Sequence, residues 1–318
     1  MSKEAERFVD ALLVKLEGAF SPATLKSNRS NFLHYARWAE SNALPLFPIQ
    51  PAHLASYIEA MQSGYRSATI HSRITSLRAI CFYGKQDDPT KSAEVKLALR
   101  RMYRTLGRHQ KQAYPLTRDI LEQLLNRCNA SPMGRRNELL LRIGYETMRR
   151  STEICSFRFD DLIKLPDGRH ALLLRFSKTD QEGEGRIISI SDLLARRIDR
   201  WSRRLALKQG PILRAISKDK RELGPLKSGA INPILSDLQQ RAKLSHLPKL
   251  TGHSFRVGAA LDMLRSGVPL EKIMLRGGWR KRSTALRYLK AWVDDVNPAS
   301  LEVELALQHQ TPPQRGEK

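Results

Sequence analysis

Between Gly252 and Leu289 the sequence places a His, an Arg, a Trp and a Tyr at spacings suited to phosphate chemistry. His253 and Arg256 stand three apart, and Val257, Ala260, Leu261 and Leu264 follow at helical period, so both polar side chains are expected on one face near a helix N-terminus. That end of a helix attracts anions through its free N–H groups and its dipole. Trp279 follows the Gly277-Gly278 pair, and Tyr288 lies nine residues further on. A phosphodiester resists attack because charge builds on its nonbridging oxygens, so fixed guanidinium donors such as Arg256 lower the barrier. His253 can move a proton near neutral pH, and the indole N–H of Trp279 can bond a phosphate oxygen. Tyr288 is the one member able to act as nucleophile, and its phenol, with a pKa of ~10, needs neighbouring positive charge and a base to ionise. None of these groups requires a metal.

The elements that position them can be read from the punctuation. Gly267 closes the first helix, Pro269 opens a second (Leu270, Ile273, Met274, Leu275), and Gly277-Gly278 stops it before Trp279. Ser283 is expected to cap a third helix, which carries Tyr288. Helix, Ser266-Gly267-Val268 turn and helix also fit an ordinary helix-turn-helix with Trp279 and Tyr288 as core aromatics. Upstream, helical patterns resume at Thr117 (Ile120, Leu121, Leu124, Leu125) and continue through Leu139, Leu140 and Ile143 towards the doublet Arg149-Arg150. Arg150 stands three residues before Glu153. His170 to Phe176 and Arg186 to Ile190 are short apolar runs bounded by Gly and charge, which fit strands of a small antiparallel sheet. Lys178 lies in the loop between them, beside the polar, Gly-rich stretch Gln181 to Gly185, expected to be flexible. Helices are expected at Leu193 to Leu205 and Ser228 to Ala242, with Lys218 to Lys227 as a basic connection.

An H-x-x-R motif, a Trp after a Gly pair, a Tyr nine residues beyond it, and an Arg three residues before a Glu together resemble the tyrosine recombinase (phage integrase) family. Most members carry a second His where Trp279 stands. The resemblance gives Arg150 the role of first catalytic Arg, with Glu153 as the acidic neighbour that orients it. Arg149 is its doublet partner, whose loss is expected to matter much less. Lys178 matches the mobile-loop lysine that protonates the departing 5′ hydroxyl. The implied catalytic set is therefore Arg150, Glu153, Lys178, His253, Arg256, Trp279 and Tyr288. The implied fold is mainly α, with a helical N-terminal core-binding domain and a mostly helical catalytic domain carrying a small antiparallel β-sheet. Helices at Ser21 to Ser30 and Ala68 to Ile74 match those that enter the major groove in that family, making Lys26, Ser27, Ser72 and Arg73 the expected DNA contacts. The implied activity is cleavage and rejoining of DNA through a 3′-phosphotyrosyl intermediate, with strand exchange between two duplexes via a Holliday junction. The implied assembly is a homo-tetramer on double-stranded DNA, joined through the segment Pro298 to Leu307.

Composition and order along the chain agree with a DNA-acting protein. Lys and Arg number 55 against 32 Asp and Glu in 318 residues, a net charge of +23, too large an excess for a solvated face alone. No apolar run approaches the ~18 residues of a membrane span and no signal-peptide core is present, so a soluble, cytoplasmic protein is expected. Cys81, Cys128 and Cys155 are odd in number, widely spaced and set among apolar residues, which suits buried reduced thiols. Amphipathic patterns at Glu4 to Leu16, after Ser21-Pro22, from Pro51, from Ser67 and from Ser92 make the first 105 residues all helical. A basic linker at 106–116, a catalytic domain at 117–309 and a disordered tail at 310–318 complete the expected organisation. No cofactor is expected: there is no phosphate-binding Gly-rich loop, and Asp87-Asp88, Asp160-Asp161 and Asp294-Asp295 are adjacent pairs, better read as caps or loops than as a two-metal carboxylate set. Two other readings stay open, a topoisomerase-like or telomere-resolving strand transferase, and a DNA-binding regulator whose tyrosine is structural.

Overall fold

A computed structural model of the chain describes residues 3–109, 112–177, 183–217 and 222–293. Its backbone divides into two units, Met1–Lys111 and Gln112–Lys318. The first is built from five helices, α1 (Lys3–Lys15), α2 (Pro22–Ser41), α3 (Pro51–Ala60), α4 (Ser67–Tyr83) and α5 (Ala93–Leu106). Pro at the first helical position starts α2 and α3, where its missing N–H costs no hydrogen bond. Ser21 and Ser92 cap α2 and α5 by accepting the backbone N–H of Thr24 (3.3 Å) and Val95 (3.2 Å). Phe32, Tyr35, Leu54, Tyr57, Ile70, Leu77, Ile80, Val95 and Met102 fill a core of their own, as the helical periodicity requires.

The second unit carries α6 (Arg118–Leu125), α7 (Pro132–Thr147), α8 (Ser151–Ser156), β1 (Leu162–Lys164), β2 (His170–Leu174), β3 (Arg186–Ile190), α9 (Asp192–Leu205), β4 (Arg214–Ile216), β5 (Glu222–Pro225), α10 (Ile231–Arg241), α11 (Gly252–Arg265), α12 (Leu270–Gly277) and α13 (Arg282–Val293). β1, β2 and β3 form one antiparallel sheet in that order, with Leu172 opposite both Leu162 and Ile188. β4 and β5 form a separate antiparallel pair. Two cores support this unit. The larger gathers Leu140, Ile154, Phe157, Leu172, Ile188, Trp201 and Phe255, and the smaller gathers Met148, Ala260, Leu261, Ile273, Trp279, Ala285 and Leu289.

Several sequence expectations change here. The second strand stops at Leu174 rather than Phe176 because Arg175 turns to the Asp160-Asp161 pair, its Nε 2.6 Å from Asp161 and its Nη2 2.7 Å from Asp160. Those carboxylates hold loops together, as expected: Asp161 also accepts the Arg158 N–H at 2.8 Å, and Asp160 the Gly210 N–H at 3.1 Å. The strand β1 was not foreseen, since three residues are too few to show an alternation. Likewise, the basic connection from Lys218 contains β5. The stretch from Ser228 opens as a 3-10 turn, Ser228–Ala230, before α10 begins. Ser283 does not cap α13, which already starts at Arg282. The Pro298 to Leu307 segment and the tail from Gln310 lie outside the described residues.

Candidate active site

The first half of the site is made where α7 ends. Gly144 lets α7 approach α11 closely: a Cβ there would lie 2.8 Å from the ring of Phe255. α7 then stops at Thr147, and Met148 takes a left-handed conformation (φ 53°, ψ 34°), its N–H donating to the Gly144 carbonyl. The chain re-enters a helix at Ser151, with Arg150 extended at the N-cap. Glu153, at the third helical position, grips Arg150 twice, accepting its backbone N–H at 3.1 Å and its Nη1 at 2.8 Å. The Arg150 side chain remains 28% exposed while that of Glu153 is 4% exposed, so the carboxylate anchors and the guanidinium is presented. Burial alone would raise the Glu153 carboxyl, but the backbone N–H and guanidinium of Arg150 outweigh it and hold it below the usual carboxylate range.

α11 supplies the second cation. Thr251 precedes it, and Ser254 accepts the Thr251 N–H at 2.9 Å while Asn232 accepts the Gly252 N–H at 3.0 Å. These bonds fix the helix start, with His253 exposed and Arg256 2% exposed. Arg256 Nη1 donates to the Met148 carbonyl at 2.7 Å, and its guanidinium carbon lies 5.0 Å from the centroid of the Trp279 ring. Burial first, then the like charge of Arg150, pushes Arg256 down to about 10. The His253 imidazole is held below its ordinary value by desolvation, then by Arg256 and Arg150. It is therefore neutral at pH 7 and able to accept a proton. Followed by NMR in the DNA-free protein, the His253 ring should titrate below 6.5, its ordinary midpoint; a midpoint at or above 6.5 would contradict this electrostatic picture.

The third part comes from α12 and α13. Gly278 closes α12 in the left-handed region (φ +67°), which a side chain would strain, and turns the chain so that Trp279 is 7% exposed in the smaller core. Tyr288, half-buried on α13, stacks on Trp279 with ring centroids 5.6 Å apart and planes at 29°. The open cleft beside these residues is lined by Arg149, Arg150, Ser177, Glu184, Arg186 and Trp279, among others. Lys178 lies outside the described residues; Ser177 and Glu184, which bracket its segment, both line the cleft. The structure thus draws Arg150, Glu153, His253, Arg256, Trp279 and Tyr288 together from α8 and its N-cap, α11, α13 and the turn after α12. The Arg256 guanidinium, depressed by burial and then by the like charge of Arg150, makes with that neighbour, a neutral imidazole, an indole N–H and a phenol a receptor for an anion that a tyrosine oxygen can attack.

Sequence reasoning did not assign roles to Arg186 and Arg276, and it set Arg149 aside. Arg149 is 3% exposed. Arg186 lines the cleft and donates to the Leu275 carbonyl. Arg276 donates to the Glu146 carbonyl from Nε at 2.9 Å and Nη2 at 2.6 Å. Nothing local distinguishes them among 55 Lys and Arg. Among the described residues, no group of three or more His, Cys, Asp or Glu could hold a metal ion, and no helix is long and apolar enough to cross a membrane.

In the first unit, Lys26 and Ser27 are exposed on α2 and Ser72 is exposed on α4. Arg73 is half-buried: its Nη1 bonds the His34 ring at 2.8 Å, and its guanidinium carbon lies 3.9 Å from the centroid of Tyr65. The three cysteines are free, and burial raises the Cys81 thiol to about 12 and those of Cys128 and Cys155 to about 11.

Residues 114–293 match the family model described as Phage integrase family. Recombinase cre of Escherichia phage P1 is 27% identical over 297 residues, covering 86% of this chain and 85% of that protein. An integrase/recombinase xerD homolog of Selenomonas ruminantium is 24% identical, covering 87% of this chain and 84% of that protein. Among solved structures, the XerH site-specific recombinase bound to a palindromic difH substrate, in a post-cleavage complex, superposes with a TM-score of 0.65 at 18% identity over 87% of this chain and 78% of that one.

Proposed function

The chain belongs to the phage integrase family and is a tyrosine-type site-specific DNA strand transferase, and we propose that it cleaves and rejoins strands through a 3′-phosphotyrosyl intermediate and exchanges them between two duplexes via a Holliday junction. The observation that carries this reading is the convergence of Arg256, His253 and Tyr288 on Arg150 and Trp279, which line one cleft. Arg150 and Arg256 meet the nonbridging oxygens, and Trp279 adds its indole N–H. The Tyr288 oxygen bonds to phosphorus as the bond to the 5′ oxygen breaks. His253 takes the phenol proton, and Lys178 delivers a proton to the departing 5′ oxygen. Since the tyrosyl ester keeps the energy of the cleaved bond, another 5′ hydroxyl can reverse the step without ATP, and no metal is called upon.

Lys26, Ser27, Ser72 and Arg73 are our candidates for duplex contacts from the first unit, which we read as the core-binding domain (1–105), followed by a basic linker (106–116) and the catalytic domain (117–309). Action on DNA in the cytoplasm follows from that reading. We place the tetramer contact in Pro298 to Leu307. A cleft on the catalytic unit lined by Met148, Ala259, Met263 and Val268, by Arg118, Arg265 and Arg276, and by Asp119, Glu146 and Asp262 offers apolar walls and charges of both signs. The apolar walls suit Leu301, Val303, Leu305 and Leu307.

One assay tests the scheme. Genomic fragments trapped on the protein give the target, and a nicked copy of it is offered with excess chelator. A covalent adduct, and recombinants from a plasmid carrying paired sites, are expected. An adduct without recombinants would indicate a topoisomerase-like enzyme, and no adduct would indicate a DNA-binding regulator. The chain truncated after Val296 should still bind a half-site and recombine little; normal recombination would remove the C-terminal segment from the assembly.

A further inference from the structure

Arg149 carries a guanidinium almost out of solvent, at 3% exposure, in a position where an apolar side chain would be the inexpensive choice. Its Nε donates to the Thr147 carbonyl at 2.8 Å, and its Nη2 donates to the Arg276 carbonyl. Arg276 in turn sends its own guanidinium to the Glu146 carbonyl. Each arginine thus satisfies last-turn carbonyls of the helix that the other one follows or ends. Those carbonyls have no intrahelical partner and carry the negative end of the helix dipole, so a multi-donor cation is the natural group to join two such ends. Gly278 passes directly against this joint: a Cβ on it would lie 2.8 Å from Arg149 Nη1. The next residue is Trp279, on which Tyr288 is stacked.

We propose that Arg149 and Arg276 form a reciprocal clasp, and that Arg149 is a positioning residue which sets Trp279, just after α12, and Tyr288, on α13, against Arg150, at the N-cap of α8, and Arg256, in the first turn of α11. The clasp crosses between the halves of the site, joining the cation-bearing turn to the end of α12 through hydrogen bonds. Arg186 braces it by donating to the neighbouring Leu275 carbonyl. Burial, then the charges around it, pushes Arg149 down to about 9, which still leaves it cationic at pH 7. A lysine there would keep the charge and lose the bridge, because an ammonium is a compact point charge and the guanidinium fork spans two acceptors.

The inference rests on the strand-cleavage reading above, and the test separates the two. Single-turnover adduct formation on a nicked target is measured beside duplex affinity. Arg149→Met is expected to slow cleavage about tenfold, short of the ~10²-fold that a full ~1 Å misplacement of a reacting group can cost, with affinity unchanged within about a factor of two. Arg149→Lys should be no faster than Arg149→Met, and Arg276→Met should be slowed by a similar factor. The double variant should be no slower than the slower single one, since each variant removes one of the two bridges and the joint holds only with both. Wild-type cleavage by Arg149→Met or by Arg149→Lys, or losses that multiply in the double variant, would overturn the clasp. If Arg149→Met fails to fold, Arg149→Lys and Arg276→Met decide alone. No adduct from the unaltered protein would instead sink the cleavage reading, and the positioning role with it.

Discussion

Tyr288→Phe is expected to bind a target duplex as the unaltered protein does and to form no covalent adduct at all. The substitution removes one oxygen and no charge, and it leaves the ring free to keep its stack on Trp279 at 5.6 Å. Arg150, Arg256 and His253 are untouched, so the groups that meet the phosphate remain in place. What disappears is the atom that forms the new bond to phosphorus. His253, although neutral at pH 7, lies where Arg256 and Arg150 both act on it, and in this scheme it accepts a proton rather than becoming a leaving ester. Denaturing electrophoresis of end-labelled nicked DNA reads the result directly. An adduct surviving in the Phe variant would remove Tyr288 from the nucleophile's role, and a large fall in duplex affinity would assign it to structure.

Arg150→Ala is expected to lose about 10²-fold or more in cleavage, the scale found when a donor to developing charge is removed. Two effects add. The guanidinium that neutralises the nonbridging oxygens goes, and Glu153 loses the partner at 2.8 Å that balances its buried carboxylate. The released carboxylate then repels the incoming phosphate. It also costs stability, about 1–3 kcal/mol for a buried group left without its partner. The combined variant Arg150→Ala/Glu153→Gln separates the two contributions: thermal stability should return towards that of the unaltered protein while cleavage stays low. If the double variant recovered cleavage as well, Arg150 would be an orienting counter-ion to Glu153 and not a donor to the phosphate.

Much of this site could be read before any coordinates. His253, Arg256, Trp279 and Tyr288 lie within 36 residues of one another, and the turns between their helices are marked by Gly267, Pro269 and Gly278. Ser21, Pro22, Pro51 and Ser92 announced the helices of the first unit for the same reason, since capping chemistry is local. Glu153 was legible because its bond to Arg150 closes over three residues. The strands β1, β4 and β5 were not, being too short for an alternation to emerge. The bonds of Arg149 and Arg276 reach across separations of 127 and 130 residues. No periodicity encodes such a contact, and in so basic a chain each of these arginines looked like part of the general excess.

Two adjacent arginines look like insurance, one a spare for the other. The left-handed turn at Met148 denies that reading. It reverses the chain so that Arg149 enters the interior against helix-end carbonyls, while Arg150 opens a helix and faces the cleft on the carboxylate of Glu153. Their environments are not interchangeable: Arg149 bonds neutral helix-end carbonyls, while Arg150 pairs with a buried carboxylate and keeps its guanidinium partly in solvent. Sliding the register by one residue would bury the presented cation and leave Glu153 facing the wrong neighbour. The doublet therefore adds no redundancy, and damage to either arginine has to be repaired at its own position.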